Sequence, residues 1–260
     1  MKVIRTYASV TLATLLLTSS CFATEHTITS NTETHEKDWG YTSDVSPSHW
    51  SELNKKFKIC SEGKSQSPID IVPSSHLNLP PLELDYESKS QNVIDNGHTV
   101  QVNVAEGSTF TIGDETYELK QFHFHTPSEN NINHKSFPLE AHFVHATKDG
   151  KLAVIAVMFE EAKDINAVIS KIWSKFPLKT GEKTELILTT EEIQALMPNH
   201  KEYYKFIGSL TTPPCSEEVR WHVLKKPLSI SKEQVKQFFN IYGHSNNRPI
   251  QAVNKRNILE

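Results

Sequence analysis

Short runs of alternating apolar and polar residues, broken by Gly, Asn, Asp and Pro, dominate the chain from about residue 90 onward. Side chains alternate between the two faces of a strand, so this pattern predicts strands half buried against a core. It predicts them at Gln91–Ile94, Thr99–Val104, Thr109–Ile112, Tyr117–Phe124, Leu139–Ala146, Leu152–Phe159, Lys205–Leu210 and Arg220–Leu224. Asp95-Asn96-Gly97 and Asp149-Gly150 are turn signals, and the second joins two runs as an antiparallel hairpin. Helical spacing is scarcer: Asp164–Phe176, Thr190–Leu196 before Pro198, and Ser231–Tyr242, where Ser231 and Gln234 form a capping-box pattern. Many strands and few helices predict a mainly β, α+β domain: a large, mostly antiparallel sheet with peripheral helices and no internal boundary.

The 260 residues carry a formal net charge of −4 and no basic block, which excludes nucleic acid as a partner. No apolar run beyond the beginning of the chain is long enough to span a membrane. Residues 1–23 read as a secretory signal peptide: Lys2 and Arg5, the apolar stretch Ala8–Leu17, then Cys21-Phe22-Ala23 before a cut. A weaker alternative makes Cys21 a lipid anchor, although the large aliphatic residue usual three positions before it is missing. Residues 24–37 are polar and read as a flexible leader, leaving 38–260 as the folded domain. The expected location is the periplasm or the medium. Export leaves Cys60 and Cys215, which an oxidising compartment allows to pair; two free buried thiols are the alternative.

One strand carries chemistry. Gln121-Phe122-His123-Phe124-His125 places His123 and His125 on a single face, and His142 lies in the run Leu139–Ala146. If those strands pair, three imidazoles converge without a fourth protein ligand, the pattern of a catalytic rather than a structural zinc. Gln121 and Glu140, two residues before a histidine in each case, can accept the second ring N–H of a metal-bound imidazole.

Several motifs then follow in order: Trp39-Gly40-Tyr41, Gln66 to Ile71 (QSPIDI), Asn96-Gly97-His98, the histidine strand, Pro127-Ser128-Glu129-Asn130, Glu140 to His145 (EAHFVH), Gly208 to Pro214 (GSLTTPP) and Asn246-Asn247-Arg248-Pro249. From residue 39 onward the chain resembles the alpha-class carbonic anhydrases of the exported bacterial type. The resemblance implies one zinc ion on His123, His125 and His142, with Gln121 and Glu140 behind them. It implies reversible hydration of carbon dioxide to bicarbonate and a proton by attack of a zinc-bound hydroxide, and a weak esterase side activity. Thr211, held by Glu129, would orient the nucleophile, and His98 would shuttle the proton. Val144, Val154, Leu210, Thr212, Val219 and Trp221 would line the substrate pocket, with Tyr41, Asn96 and Gln101 as polar cleft residues. Cys60 and Cys215 match the disulfide positions of exported members, and the chain would be a monomer or homodimer. Thr126-Pro127 stands where many animal members have Trp-Gly, and the loop from Asn130 to Pro138 is short; both bear on the cleft rim. His145 is expected inside as a hydrogen-bonded structural residue. His26, His35, His49, His76, His134, His200, His222 and His244 are expected at the surface.

Overall fold

The computed structural model describes residues 38–176 and 179–260. The expected signal peptide and leader, with Cys21, His26 and His35, lie outside the described residues. The described residues form one compact unit.

Thirteen strands are present among the described residues: β1 (Asp70–Ile71), β2 (Leu84–Asp85), β3 (Ser90–Asp95), β4 (Val100–Val104), β5 (Thr109–Ile112), β6 (Glu115–His125), β7 (Asn131–Ile132), β8 (Leu139–Ala146), β9 (Leu152–Ala162), β10 (Lys183–Glu185), β11 (Tyr203–Ser209), β12 (Glu217–Leu224) and β13 (Leu228–Ser231). The helices are α1 (Trp50–Leu53), α2 (Ile59–Glu62), α3 (Ala167–Trp173), α4 (Thr190–Gln194) and α5 (Lys232–Tyr242). Eleven strands share one sheet, whose main path runs β10-β3-β4-β6-β8-β9-β12-β11. Its pairings are antiparallel except where β12 and β13 each lie parallel to β9. The Asp149-Gly150 turn closes the β8–β9 hairpin, with Ala146 opposite Leu152.

Every strand that alternation predicts is found. The strands β1, β2, β7, β10 and β13 are two to four residues long, too short for a period to register. The strand predicted to end at Phe159 continues to Ala162 because β13 pairs with its last four residues. Helix α5 starts at the capping box that Ser231 and Gln234 announce and ends on Gly243 at φ +69°, a left-handed cap that glycine adopts without strain. Helix α3 begins only at Ala167, where the Asn166 side chain accepts from the Ile169 N–H.

Strict alternation divides the sheet into two faces. Leu139, Ala141 and Phe143 on β8 and Ala153, Ile155, Val157 and Phe159 on β9 enter the larger core, which Ile169, Ile172, Trp173 and Phe238 of α3 and α5 cover. Val154, Ala156 and Met158 on β9 and Val219, Trp221 and Val223 on β12 enter a second core on the other face. Burying each of the larger side chains contributes roughly 1.5–3 kcal/mol.

β6 changes phase between these faces. Tyr117 and Leu119 point into the larger core, and so do Phe122 and Phe124. The register against β8 shifts between Leu119 and Gln121, a bulge that inserts Lys120. One extra residue reverses which face every later side chain meets. Without it, Gln121, His123 and His125 would point into the larger core and Phe122 and Phe124 would face the histidine side.

Both ends of the sheet path are protected. β10 is a three-residue strand, Lys183-Thr184-Glu185, two of them charged. On the outer side of β11, Lys205 exchanges both backbone hydrogen bonds with Leu259, and Arg256 donates to the Ile207 carbonyl.

Candidate metal centre

β6 and β8 pair with His123 opposite His142 and His125 opposite Glu140. The three histidines offer ligand atoms that all lie within 4.8 Å of one another. Each ring has an oxygen behind one nitrogen, hydrogen-bonded in His123 and His125 and close by in His142. His123 Nδ1 meets Gln121 Oε1 at 2.8 Å, His125 Nδ1 meets the Asn246 carbonyl at 2.7 Å, and His142 Nε2 lies 3.0 Å from Glu140 Oε1. In His123 and His125 these acceptors place the ring N–H on Nδ1 and leave the Nε2 lone pair free, and Glu140 beside His142 Nε2 favours the matching arrangement with Nδ1 free. His125 Nε2, His142 Nε2 and Glu129 Oε2 are buried without a hydrogen-bond partner, and His125 Nε2 lies 3.4 Å from Glu129 Oε2. Burial holds the pKa of all three imidazoles below the usual histidine range, and for His123 the neighbouring His125 and His142 add to it. They are therefore neutral at pH 7, the form that binds a metal.

Two buried carboxylates back this cluster. Glu140 accepts from the Glu129 and Asn130 backbone N–H groups at 2.7 and 2.9 Å and from the Asn130 side chain at 2.8 Å. Burial raises its pKa, and the Asn130 side-chain bond pulls hardest the other way. Glu129 accepts from the Arg248 N–H at 2.8 Å. Burial pushes its pKa up to about 8, opposed by that bond and by the Thr211 hydroxyl. Thr211 is buried in a turn closed by the Cys215 N–H on the Thr212 carbonyl. Cys215 is bridged to Cys60, 155 residues away.

The cleft above is a cavity of about 120 Å³ lined by Trp39, Tyr41, Asn96, His98, Thr99, Gln101, Gln121, His123, His125 and Thr212. It brings His98, the three expected polar residues and two of the histidines into one space. His98 lies flat on Trp39, with ring centroids 3.6 Å apart and planes 12° apart. Burial lowers its pKa, while Asp38 and Asp95 pull it back up. Of the expected pocket residues only Thr212 lines this cavity. Val144, Val154, Leu210, Val219 and Trp221 gather in the second core, and Trp221 sets its edge against His142 at 4.9 Å.

Three residues had no role assigned from sequence. Asn246 holds His125 through its carbonyl, accepts the Thr126 N–H at 2.8 Å, and donates to the carbonyls of Phe124 and His98. The Arg248 guanidinium is buried and donates to Gln66, Ser67 and Cys60. Asn130 fixes Glu140. Their motifs were visible, but their partners are 10 to 188 residues away.

One surface assignment is corrected. His222 is only 1% exposed, packed edge-on against Phe110 and beside Tyr203. β12 lies between β9 and β11 and is covered on both faces, so its histidine has no route to water. His76, His134 and His200 are exposed, and His49 and His244 partly so. His145 is interior as expected, bonded to the Tyr86 hydroxyl and the Phe143 carbonyl.

Fold and site together define a sheet-based protein with a three-histidine cluster, able to hold a metal ion, beside a cleft. The family model for eukaryotic-type carbonic anhydrase matches residues 45–260. A carbonic anhydrase from Pectobacterium carotovorum is 45% identical over 248 residues, covering 95% of this chain and 98% of that one. Among solved structures, the Photobacterium profundum alpha-carbonic anhydrase superposes with a TM-score of 0.80 at 45% identity, over 86% of this chain and all of that one. The Thermovibrio ammonificans alpha-carbonic anhydrase, in complex with the inhibitor sulfanilamide, gives 0.81 at 40% identity, over 86% and 99%. The chain belongs to the eukaryotic-type, or alpha, carbonic anhydrase family.

Proposed function

We propose that this chain catalyses the reversible hydration of carbon dioxide to bicarbonate and a proton, with one zinc ion held by His123, His125 and His142. One observation carries the reading: three neutral imidazoles, two hydrogen-bonded through an outer nitrogen and the third with Glu140 3.0 Å behind it, turn ligand atoms within 4.8 Å of one another. The buried, unpartnered His125 Nε2 fits the same group, because an orphaned acceptor in such a place is costly unless something binds it. Three uncharged ligands leave a zinc ion its full double charge; when bound, it supplies a water acidified to a pKa near 7, the value known for carbonic anhydrase.

The chain's own groups do the rest. Gln121, the Asn246 carbonyl and Glu140 hold the imidazole tautomers. Thr211 has one proton to give, and giving it to Glu129 leaves only lone pairs towards the cleft, so it can only accept from the nucleophile and thereby aims it. A cation among the histidines favours the ionised Glu129 that this requires. Val144, Val154, Leu210, Val219 and Trp221 provide an apolar wall for an apolar substrate. His98, an imidazole whose pKa burial lowers while Asp38 and Asp95 pull it back up, passes the proton from the cleft to buffer. Tyr41, Asn96 and Gln101 supply polar contacts along the way. The bridged Cys60–Cys215 pair and the sequence of residues 1–23 support a place outside the cytoplasm.

Stopped-flow hydration on samples of known zinc content tests the reading. Activity in proportion to zinc supports it; full zinc occupancy without hydration overturns it.

A further inference from the structure

Asp95 ends β3 and begins the turn that carries His98. It is 8% exposed, and no step above uses it. Its carboxylate collects donors from three separate parts of the chain. Oδ1 accepts the Gly97 N–H at 2.8 Å and the Tyr242 hydroxyl of α5 at 2.9 Å, and Oδ2 accepts the Thr180 hydroxyl at 3.3 Å. The Asp95 carbonyl takes the Gly181 N–H at 2.7 Å. Gly97 sits at φ +87°, and a Cβ there would meet the Thr180 methyl at 3.2 Å, so the turn is tight against the loop that Asp95 binds. A buried carboxylate with several donors is held in place.

We propose that Asp95 is a positioning residue for His98: it fixes the turn that presents the imidazole to the cleft and supplies the negative charge that the protonated imidazole needs. The need arises from Trp39, which covers one face of the ring and removes water from it. Asp38 and Asp95 are the charged groups that oppose this loss. The other titratable side chains around the cavity are Tyr41, His123 and His125, with His244 beside Tyr41 and Tyr242. Neutral Tyr41 supplies no negative charge, and the histidines supply none in any state. The inference rests on the reading of His98 as proton carrier.

Asp95→Asn tests it in the full, zinc-loaded chain. The amide keeps the size and the acceptor for Gly97 and Tyr242, can donate to Thr180, and loses the charge. Expected are a His98 titration, followed by NMR, displaced about half a pH unit or more to lower pH, and a turnover number in weak buffer reduced about threefold to tenfold. The ratio kcat/KM, which stops at the hydration step, changes less than about twofold. An unmoved His98 titration, or equal losses in kcat and kcat/KM, overturns the proposal. His98→Ala separates the two readings. If it leaves weak-buffer turnover intact, the shuttle itself is wrong; if it slows turnover and Asp95→Asn does nothing, only the role of Asp95 falls. Should Asp95→Asn not fold, Tyr242→Phe removes one donor and leaves the charge; the His98 titration then moves to higher pH, and no movement overturns the proposal.

Discussion

His142 and His145 stand three residues apart on β8 and point to opposite faces of the sheet. His145 spends both nitrogens on protein, 2.8 Å from the Tyr86 hydroxyl and 2.8 Å from the Phe143 carbonyl. Its interactions are complete. On the other face, His125 keeps one nitrogen without a partner, and the cluster around it gathers nitrogens instead of pairing them with protein. The histidine with both nitrogens paired belongs to the core, and the clustered, open ones belong to the chemistry. Burial does not tell them apart, since His142 and His145 are both essentially inaccessible. A leftover nitrogen alone does not mark the site, since His222 Nδ1 in the larger core is also without a partner; what marks it is three imidazoles whose ligand atoms lie within 4.8 Å of one another.

Four experiments break or sharpen this contrast. The largest effect is expected from His142→Ala, which abolishes hydration and lowers zinc affinity by well over a hundredfold, more than losing an outer partner does; metal analysis of the purified variant checks it. Retained zinc and activity would make the clustered histidines no different from the core one.

Reducing the Cys60–Cys215 bridge comes next. It closes a loop of 155 residues, and chain entropy gives roughly 5 kcal/mol as an upper value. A lower melting temperature in reductant is expected, and none would show that the bridge adds nothing to stability.

The core histidines should answer to acid. Burial lowers the pKa of His145 and His222 to about 3 in the folded chain, against about 6.5 when unfolded. Between those values the unfolded chain binds more protons, so stability is complete above about pH 6.5 and declines as pH falls towards 3. The loss is about 2 kcal/mol per histidine by pH 5. Denaturant melts of His222→Phe against the parent chain should show a shallower decline; parallel slopes would remove His222 as a cause.

The smallest change is Gln121→Ala, which leaves His123 without its outer acceptor. Zinc affinity should drop about tenfold to a hundredfold with the fold intact. Competition against a chelator measures it, and an unchanged affinity would mean the outer partners do not set ligand quality.

Much of this was legible in the sequence, because period-two alternation is local. It marked β6 and β8, and their pairing put His123 opposite His142. The bulge at Lys120 was not marked: Lys120-Gln121 reads as an ordinary polar pair, yet it decides which face the histidines reach. His222 was misjudged for a related reason. Strand β12 is buried on both faces, so a polar residue there looks like the solvent half of an alternation that does not exist. The work of Asn246 and Arg248 could be seen only as a motif, since their hydrogen-bond partners come from distant parts of the chain.

The outer rim of β11 has a consequence for how copies of this protein meet. Leu259 and Arg256 occupy backbone positions that a strand of another molecule would otherwise pair with. Trimming the chain before Val253 would uncover a ready-made template, with the 43% exposed Ile207 already facing outward. A second trimmed copy could then pair its own bared β11 with that edge, and the two would seal each other because the β10 end stays protected.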